Sequence, residues 1–331
     1  MQESEASSPD IPSVPTTPTV PTTPTELLPS KSAFIWKRDA DLPTGMYSAK
    51  GILVEDKLYI GGGDTKDTAT DCIVYEYDIN GLVRKWTAIP AAPVCFFSLA
   101  KVNDRLTLVG GMTVPKKMAT NLLHTWDREM QKWKTSFPPM LTARHDCMVI
   151  TFQMWLLVAG GLNFKKPIYN VELFDSSTYQ WTTIHPLPKP SVGMTCCVIK
   201  NTWYLLGGSN FTEPSRGECG PKEYVFTLKL DENVATNKWI MIPETPHYCS
   251  TAVPFGDYLM AVGGTDSLGS KSHSPSMFMY SPSLERWLYV GNIPTSRSHA
   301  TCVVLSRGQM VILGGQESST KHSRLVEILH C

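Results

Sequence analysis

A short, almost wholly apolar run that ends on a glycine pair recurs six times along the chain. It appears as Leu58-Tyr59-Ile60-Gly61-Gly62-Gly63, Leu106-Thr107-Leu108-Val109-Gly110-Gly111 and Leu156-Leu157-Val158-Ala159-Gly160-Gly161. It returns as Trp203-Tyr204-Leu205-Leu206-Gly207-Gly208, Tyr258-Leu259-Met260-Ala261-Val262-Gly263-Gly264 and Met310-Val311-Ile312-Leu313-Gly314-Gly315. The first glycines of the pairs (62, 110, 160, 207, 263, 314) stand 48, 50, 47, 56 and 51 residues apart. A period near 50 predicts a repeat architecture.

Within one repeat the pattern predicts four strands. An apolar run such as Met148-Val149-Ile150-Thr151 or Cys302-Val303-Val304-Leu305 comes first. Tight polar turns follow, among them Asn103-Asp104-Arg105 and Phe255-Gly256-Asp257, and turns this short force an antiparallel hairpin. The second strand, apolar at nearly every position, reads as covered on both faces. Its glycines permit unusual backbone angles and close approach of neighbouring chain. No helix pattern follows them and no Gly-Lys-Ser/Thr is present, which excludes a phosphate-cradling loop. Third strands such as Val171-Glu172-Leu173-Phe174 alternate more, and an aspartate often ends them (Asp78, Asp127, Asp175, Asp231). Fourth strands carry Trp86, Trp133, Trp181, Trp239 and Trp287, rings of a size to fill wedges between sheets. Trp36 has no glycine pair ahead of it, and the last repeat has no tryptophan of its own. The segment around Phe34-Ile35-Trp36 is therefore expected to complete the last sheet and remove an open edge.

Composition changes this picture little. The 331 residues are 42% hydrophobic with zero formal net charge, so no field draws the chain to nucleic acid or an anionic membrane. No apolar run approaches ~18 residues, and no membrane span or signal peptide is expected. Residues 1–31 are rich in Pro, Thr and Ser and read as an extended linker, as if a tethered C-terminal piece began there. A proline-rich ligand, a phosphorylated tail or an O-glycosylated stalk are the sharper readings of that segment. Nine cysteines without paired C-x-x-C spacing argue against a zinc site or a disulfide framework. Cys95, Cys147, Cys197, Cys249 and Cys302 fall at related places in the repeat and read as reduced core thiols, hence a cytoplasmic compartment.

Six coordinated occurrences of apolar-Gly-Gly, aromatic-Asp and Trp resemble the kelch repeat. Thr142-Ala143-Arg144-His145 and Ser296-Arg297-Ser298-His299 add to the likeness. The resemblance covers about residues 33–331 and implies an all-β, six-bladed kelch β-propeller over 32–331. Repeat four departs from the pattern through the Gly- and Pro-containing stretch 209–223, expected to be a loop. Most such propellers are protein-recognition platforms, and relatives with BTB and BACK domains are substrate adaptors of ubiquitin ligases. Nothing in this chain resembles those two domains. The implied function is therefore a non-enzymatic protein-interaction module. The alternative is a kelch-type enzyme or carbohydrate-binding protein, as in the copper-radical sugar oxidases and a sialic acid mutarotase.

In four-stranded blades, the loop after each glycine pair shares a face with the links between blades. Long loops on a rigid scaffold are where function usually resides. The residues expected to meet a partner there are Lys116, Lys117, Arg144, His145, Lys165, Lys166, Arg216, His247, Arg297 and His299. Such a basic set suits an acidic or phosphorylated peptide. The eight histidines show no His-x-His or His-x-x-x-His spacing, so no metal and no cofactor is expected.

Overall fold

The computed structural model describes residues 34–65, 72–114, 116–189, 192–208, 224–248, 250–266, 271–282, 284–306 and 308–330. The proline-rich segment 1–31, the stretch 209–223 and Cys249 lie outside the described residues.

Six four-stranded antiparallel sheets form the blades. Blade 1 comprises Lys50–Val54, Lys57–Gly61, Val74–Asp78 and Trp86–Ile89. Blade 2 comprises Ser98–Val102, Arg105–Val109, Leu123–Asp127 and Lys132–Thr135. Blade 3 is Met148–Phe152, Trp155–Ala159, Val171–Asp175 and Gln180–Ile184. Blade 4 is Thr195–Ile199, Thr202–Leu206, Val225–Lys229 and Ile240–Ile242. Blade 5 is Thr251–Phe255, Tyr258–Val262, Ser276–Ser281 and Arg286–Asn292. Blade 6 takes Thr301–Ser306, Gln309–Leu313 and Val326–His330 from the C-terminal end and Ile35–Arg38 from the N-terminal end. That last strand pairs Ile35 with His330 and Arg38 with Glu327, which is the closure the tryptophan count predicts. The first strand of every blade touches the first strands of both neighbours, and blade 6 returns to blade 1, so the ring is complete.

The apolar second strands explain the packing. Successive side chains of a strand point to opposite faces. In blade 1, Leu58 and Ile60 join Val311 and Leu313 of blade 6, while Tyr59 between them joins Leu106 and Leu108 of blade 2. The same division yields six interblade cores, one per wedge, and explains why these strands are not amphipathic. Five of the six fourth-strand tryptophans, all but Trp36, lie against an aromatic ring of the third or second strand. Trp86 sits 5.0 Å from Tyr77, Trp181 5.1 Å from Phe174 and Trp239 5.5 Å from Trp203. Five of the six also donate an indole N–H across the wedge. Trp86 reaches the carbonyl of Ala40, Trp133 that of Pro90, Trp181 that of Pro138, Trp239 that of His185 and Trp287 that of Pro243. Each acceptor lies just past the fourth strand of the preceding blade, so the tryptophan sews its own blade to the one before.

The glycine pairs are required by geometry. Gly263 has φ +66°, and a Cβ there would stand 2.4 Å from the carbonyl oxygen of Arg297. At Gly110, with φ +63°, a Cβ would lie 2.3 Å from the Arg144 oxygen. The link to the next blade runs directly over the pair, and the second glycine donates its N–H to that same oxygen (Gly264 to Arg297, Gly111 to Arg144, both 2.9 Å).

Candidate functional site

The loops after the glycine pairs and the links between blades do share one face. Tyr47 pairs with Asp64, His145 with Leu162, Tyr248 with Thr265 and Ser298 with Gln316, and Val94–Cys95 pairs with Met112–Thr113. These links are thus tied to the loop of the blade they enter, and three of them, through the carbonyls of Met46, Arg144 and Arg297, also to the second glycine of the blade they leave.

Two of the expected contact residues leave this face. Arg144 and Arg297 are 0% and 1% exposed. Arg144 binds Glu172 at 2.5 Å, and its guanidinium also donates to the carbonyls of Gly160 and Asn170. Glu172 in turn accepts the N–H of Leu141 at 2.8 Å. Blade 6 repeats the arrangement. Arg297 binds Glu327 and the carbonyls of Gly314 and Leu325, and Thr295 donates its hydroxyl to Glu327 at 2.9 Å. These arginines hold glycine turn, third strand and link together, and their charge is consumed inside the protein. The expectation that they meet a partner is therefore corrected. A buried guanidinium needs a carboxylate and several acceptors, and here it has all of them. The sequence carried a signal for this. Opposite the residue two before each glycine pair, the third strands of the six blades have Tyr75, His124, Glu172, Phe226, Phe278 and Glu327. Glutamate stands there only in the two blades whose link carries arginine.

The lysines behave differently. Lys116, Lys117, Lys165 and Lys166 are all exposed. Lys165 and Lys166 belong to a small hairpin in which Leu162–Asn163 pairs with Lys166–Pro167. Its two turn residues, Phe164 and Lys165, have φ of +47° and +62°. Two consecutive left-handed residues form the tight turn that Asn-Gly normally supplies, and a bulky residue there is strained. Phe164 is nonetheless 71% exposed. In blade 2 the corresponding loop folds back through a Thr113 N–H to Met118 carbonyl bond at 2.9 Å, with Lys117 at φ +50°. It presents Val114 and Met118, also exposed. None of the four lysines has an ion-pair partner among the described residues. Arg216 lies outside the described residues.

Of the histidines on this face, His145 lies beside the blade 3 hairpin, while His247, His273, His299 and His322 belong to the loops and links of blades 5 and 6. His145 Nδ1 pairs with Asp146 at 2.8 Å. His247 lies 3.2 Å from Asp266, and its Nε2 is 3.1 Å from the Ser274 hydroxyl. Ser298 Oγ stands 3.0 Å from Nδ1 of both His273 and His299. The ring of Tyr47 lies 4.5 Å from that of His299 and 5.5 Å from that of His322. Burial, reinforced by the charges of Lys50 and His273, holds His299 down to about 4, so its imidazole is neutral at pH 7. Burial also lowers His273. A serine hydroxyl between two neutral imidazoles can pass a proton from one ring to the other. Sequence spacing could not show this chain, because its members come from two blades. Among the described residues no three His, Cys, Asp or Glu side chains converge as a metal cage. Burial raises the thiols of Cys147, Cys196, Cys197 and Cys302, which keeps them protonated and unreactive.

Comparison with known proteins agrees with this architecture. The solved structure of YjhT superposes with a TM-score of 0.71 at 18% identity, covering 87% of this chain and 95% of that one. Kelch-like protein 23 of Homo sapiens is 24% identical over 251 residues, 62% of this chain and 43% of its own length. Kelch-like protein terF of Aspergillus terreus is 24% identical over 285 residues, 80% of this chain and 59% of its own length. The chain thus spans about half the length of these relatives. The family model for the KLHDC2/KLHL20/DRC7 Kelch-repeats domain matches residues 29–208 and 96–315. With six glycine-paired blades, their tryptophans and this match in agreement, the chain belongs to the kelch-repeat family.

Proposed function

We propose that the protein is a recognition module whose loop face, centred on blades 2 and 3, binds an acidic segment of a partner protein. The observation that carries this reading is the pairing of unneutralised lysines with apolar side chains displayed at backbone cost. Lys116 and Lys117 lie between Val114 and Met118, and Lys165, with Lys166 after it, shares the strained turn that holds Phe164 outward. Apolar anchors with a charged surround are how interfaces combine affinity with orientation. Similarity to kelch-like proteins supports a protein partner. The finer reading, a substrate-recognising part of a ubiquitin-ligase adaptor, follows from the same resemblance and needs a ligase subunit in the captured complex.

The test pairs charge with strain. Glutamate at positions 116, 117, 165 and 166 should abolish capture of partners that the wild-type propeller enriches, with the melting temperature nearly unchanged. Phe164→Asn relaxes the turn, because asparagine tolerates the left-handed region, and should stabilise the fold by roughly 0.5–1 kcal/mol while weakening the same capture. Equal capture by wild type and both variants rejects this surface.

A further inference from the structure

We propose that the outer edge of blade 4 is a dimerisation site, where the strand Ile240–Ile242 pairs antiparallel with the same strand of a second copy of this chain. The site is separate from the lysine-bearing loops of blades 2 and 3 and does not rest on their reading as a partner surface.

The outermost strand of a propeller blade is an open edge, with N–H and C=O groups that another strand can join. Blade 2 guards its edge with Lys132 and Lys134, and blade 6 with Lys37 and Arg38. Blade 5 interrupts its outer pairing with a β-bulge between Met277 and Phe278. Blade 4 has none of these devices. Its outer strand is three apolar residues, of which Ile240 and Met241 are 64% and 61% exposed. Among the described residues no other outer strand exposes two large apolar side chains in succession.

Alternation fixes which backbone groups are free. Gly207 donates its N–H to the Tyr224 carbonyl at 3.0 Å, and Leu230 donates to that of Asn201 at 2.7 Å, so these residues bond the third strand to the second. Bonding direction alternates along a strand, so Val225 and Thr227 turn to the fourth strand, where they face Ile242 and Ile240. Met241, between those two, points its own N–H and C=O away from the sheet. In a two-fold pair centred on Met241, the two copies exchange both of these bonds at the axis. Pro243 has no N–H to give and keeps the ladder short.

The side chains select the same register. A two-fold axis at Met241 sets Ile240 against Ile242 of the second copy and Lys238 against its Glu244. By alternation these four residues share one face, the one on which Ile242 packs against the core between blades 4 and 5. The pairing therefore reads charge, apolar, apolar, charge, with opposite signs meeting at both ends. Lys238 is exposed and Glu244 half-buried, and neither has an ion-pair partner among the described residues. Moving the axis by one residue, to Ile240, sets Lys238 against Ile242 and leaves Glu244 without an opposite charge. An isologous interface requires this self-complementarity, in which residue i meets j and j meets i.

Sedimentation equilibrium of the full chain tests the site. The contact is small, so dimers should form reversibly, with about half of the chains paired near roughly 100 μM. Ile240→Lys combined with Met241→Lys should abolish the dimer. Lys238→Glu and Glu244→Lys each oppose like charges at both ends and should weaken it at least about tenfold, while the two together should recover to within about threefold of wild type. Thr87→Lys, in the outer strand of blade 1, should leave association unchanged, and thermal unfolding should find every variant folded. The variant with glutamate at positions 116, 117, 165 and 166 should dimerise as wild type does, which separates failure here from failure of the partner surface. A chain that stays monomeric up to about 500 μM, a dimer indifferent to the charge reversals, or a double reversal that recovers nothing overturns the proposal.

Discussion

Blades 3 and 6 stand opposite each other in the ring and share the same buried arginine–glutamate clamp, but only blade 3 is made from one stretch of chain. Trp181 of blade 3 donates its indole N–H to Pro138 at 2.9 Å and so is sewn back to blade 2. Trp36, its counterpart in blade 6, has a buried N–H with no hydrogen-bond partner among the described residues. The closing strand is secured in the other direction. Asp39 accepts the Tyr77 hydroxyl at 2.9 Å and pairs with Arg84 at 2.6 Å, and Ala40 accepts from Trp86, all in blade 1. The comparison separates two roles that coincide elsewhere. A tryptophan in the fourth strand packs the wedge wherever it sits, but its hydrogen bond is available only where the preceding blade places a carbonyl in reach.

The clamps offer the strongest way to break the symmetry. Arg144→Met and Arg297→Met should each lose about 3–5 kcal/mol, because Glu172 or Glu327 is left buried and unpaired. Adding Glu172→Met to the first should recover most of that loss, since Met46 and Tyr75, which hold the places of Arg144 and Glu172 at blade 1, are both buried in one apolar core. Denaturant unfolding of the three variants measures this. If the double variant is no better than the single, the clamp holds geometry rather than charge.

Acid should act on the blade 6 side first. His299 titrates at about 4 in the folded protein and near 6.5 unfolded, so the unfolded chain takes up the proton first as pH falls. Its contribution is complete above pH 6.5 and is lost between there and about 4, an effect of up to roughly 3 kcal/mol. His273 and His124, also lowered by burial, act in the same sense. His299→Asn should flatten this part of the pH–stability curve. The smallest effect distinguishes the tryptophans themselves. Trp181→Phe forfeits a hydrogen bond and about 1 kcal/mol more than Trp36→Phe, where none exists, as thermal unfolding of the two proteins can show.

The fold was legible because its determinants are local and repeated. At Gly62, Gly110, Gly263 and Gly314, all at positive φ, a Cβ would strike a carbonyl of the next link, so the pairs mark where the chain must pass close. Tryptophan 36 disclosed the closure by being out of phase. The face shared by loops and links followed from antiparallel topology alone. Arginines 144 and 297 were misleading for the opposite reason. Their partners lie about 30 residues on, and a charged residue in a link looks exposed until its glutamate is noticed. The His273–Ser298–His299 chain depends on contacts between blades, which no spacing within one repeat encodes.

The antiparallel pairing of Ile35 with His330 has a mechanical consequence. The two ends of the ring leave from the same corner of blade 6, so a pull that separates them loads that first pair alone. The ladder would then open like a zipper, one rung after another towards Arg38 and Glu327, at low force. A load applied through the outer strand's other end, beyond Asp39, would instead meet the bonds into blade 1 before any rung gave way.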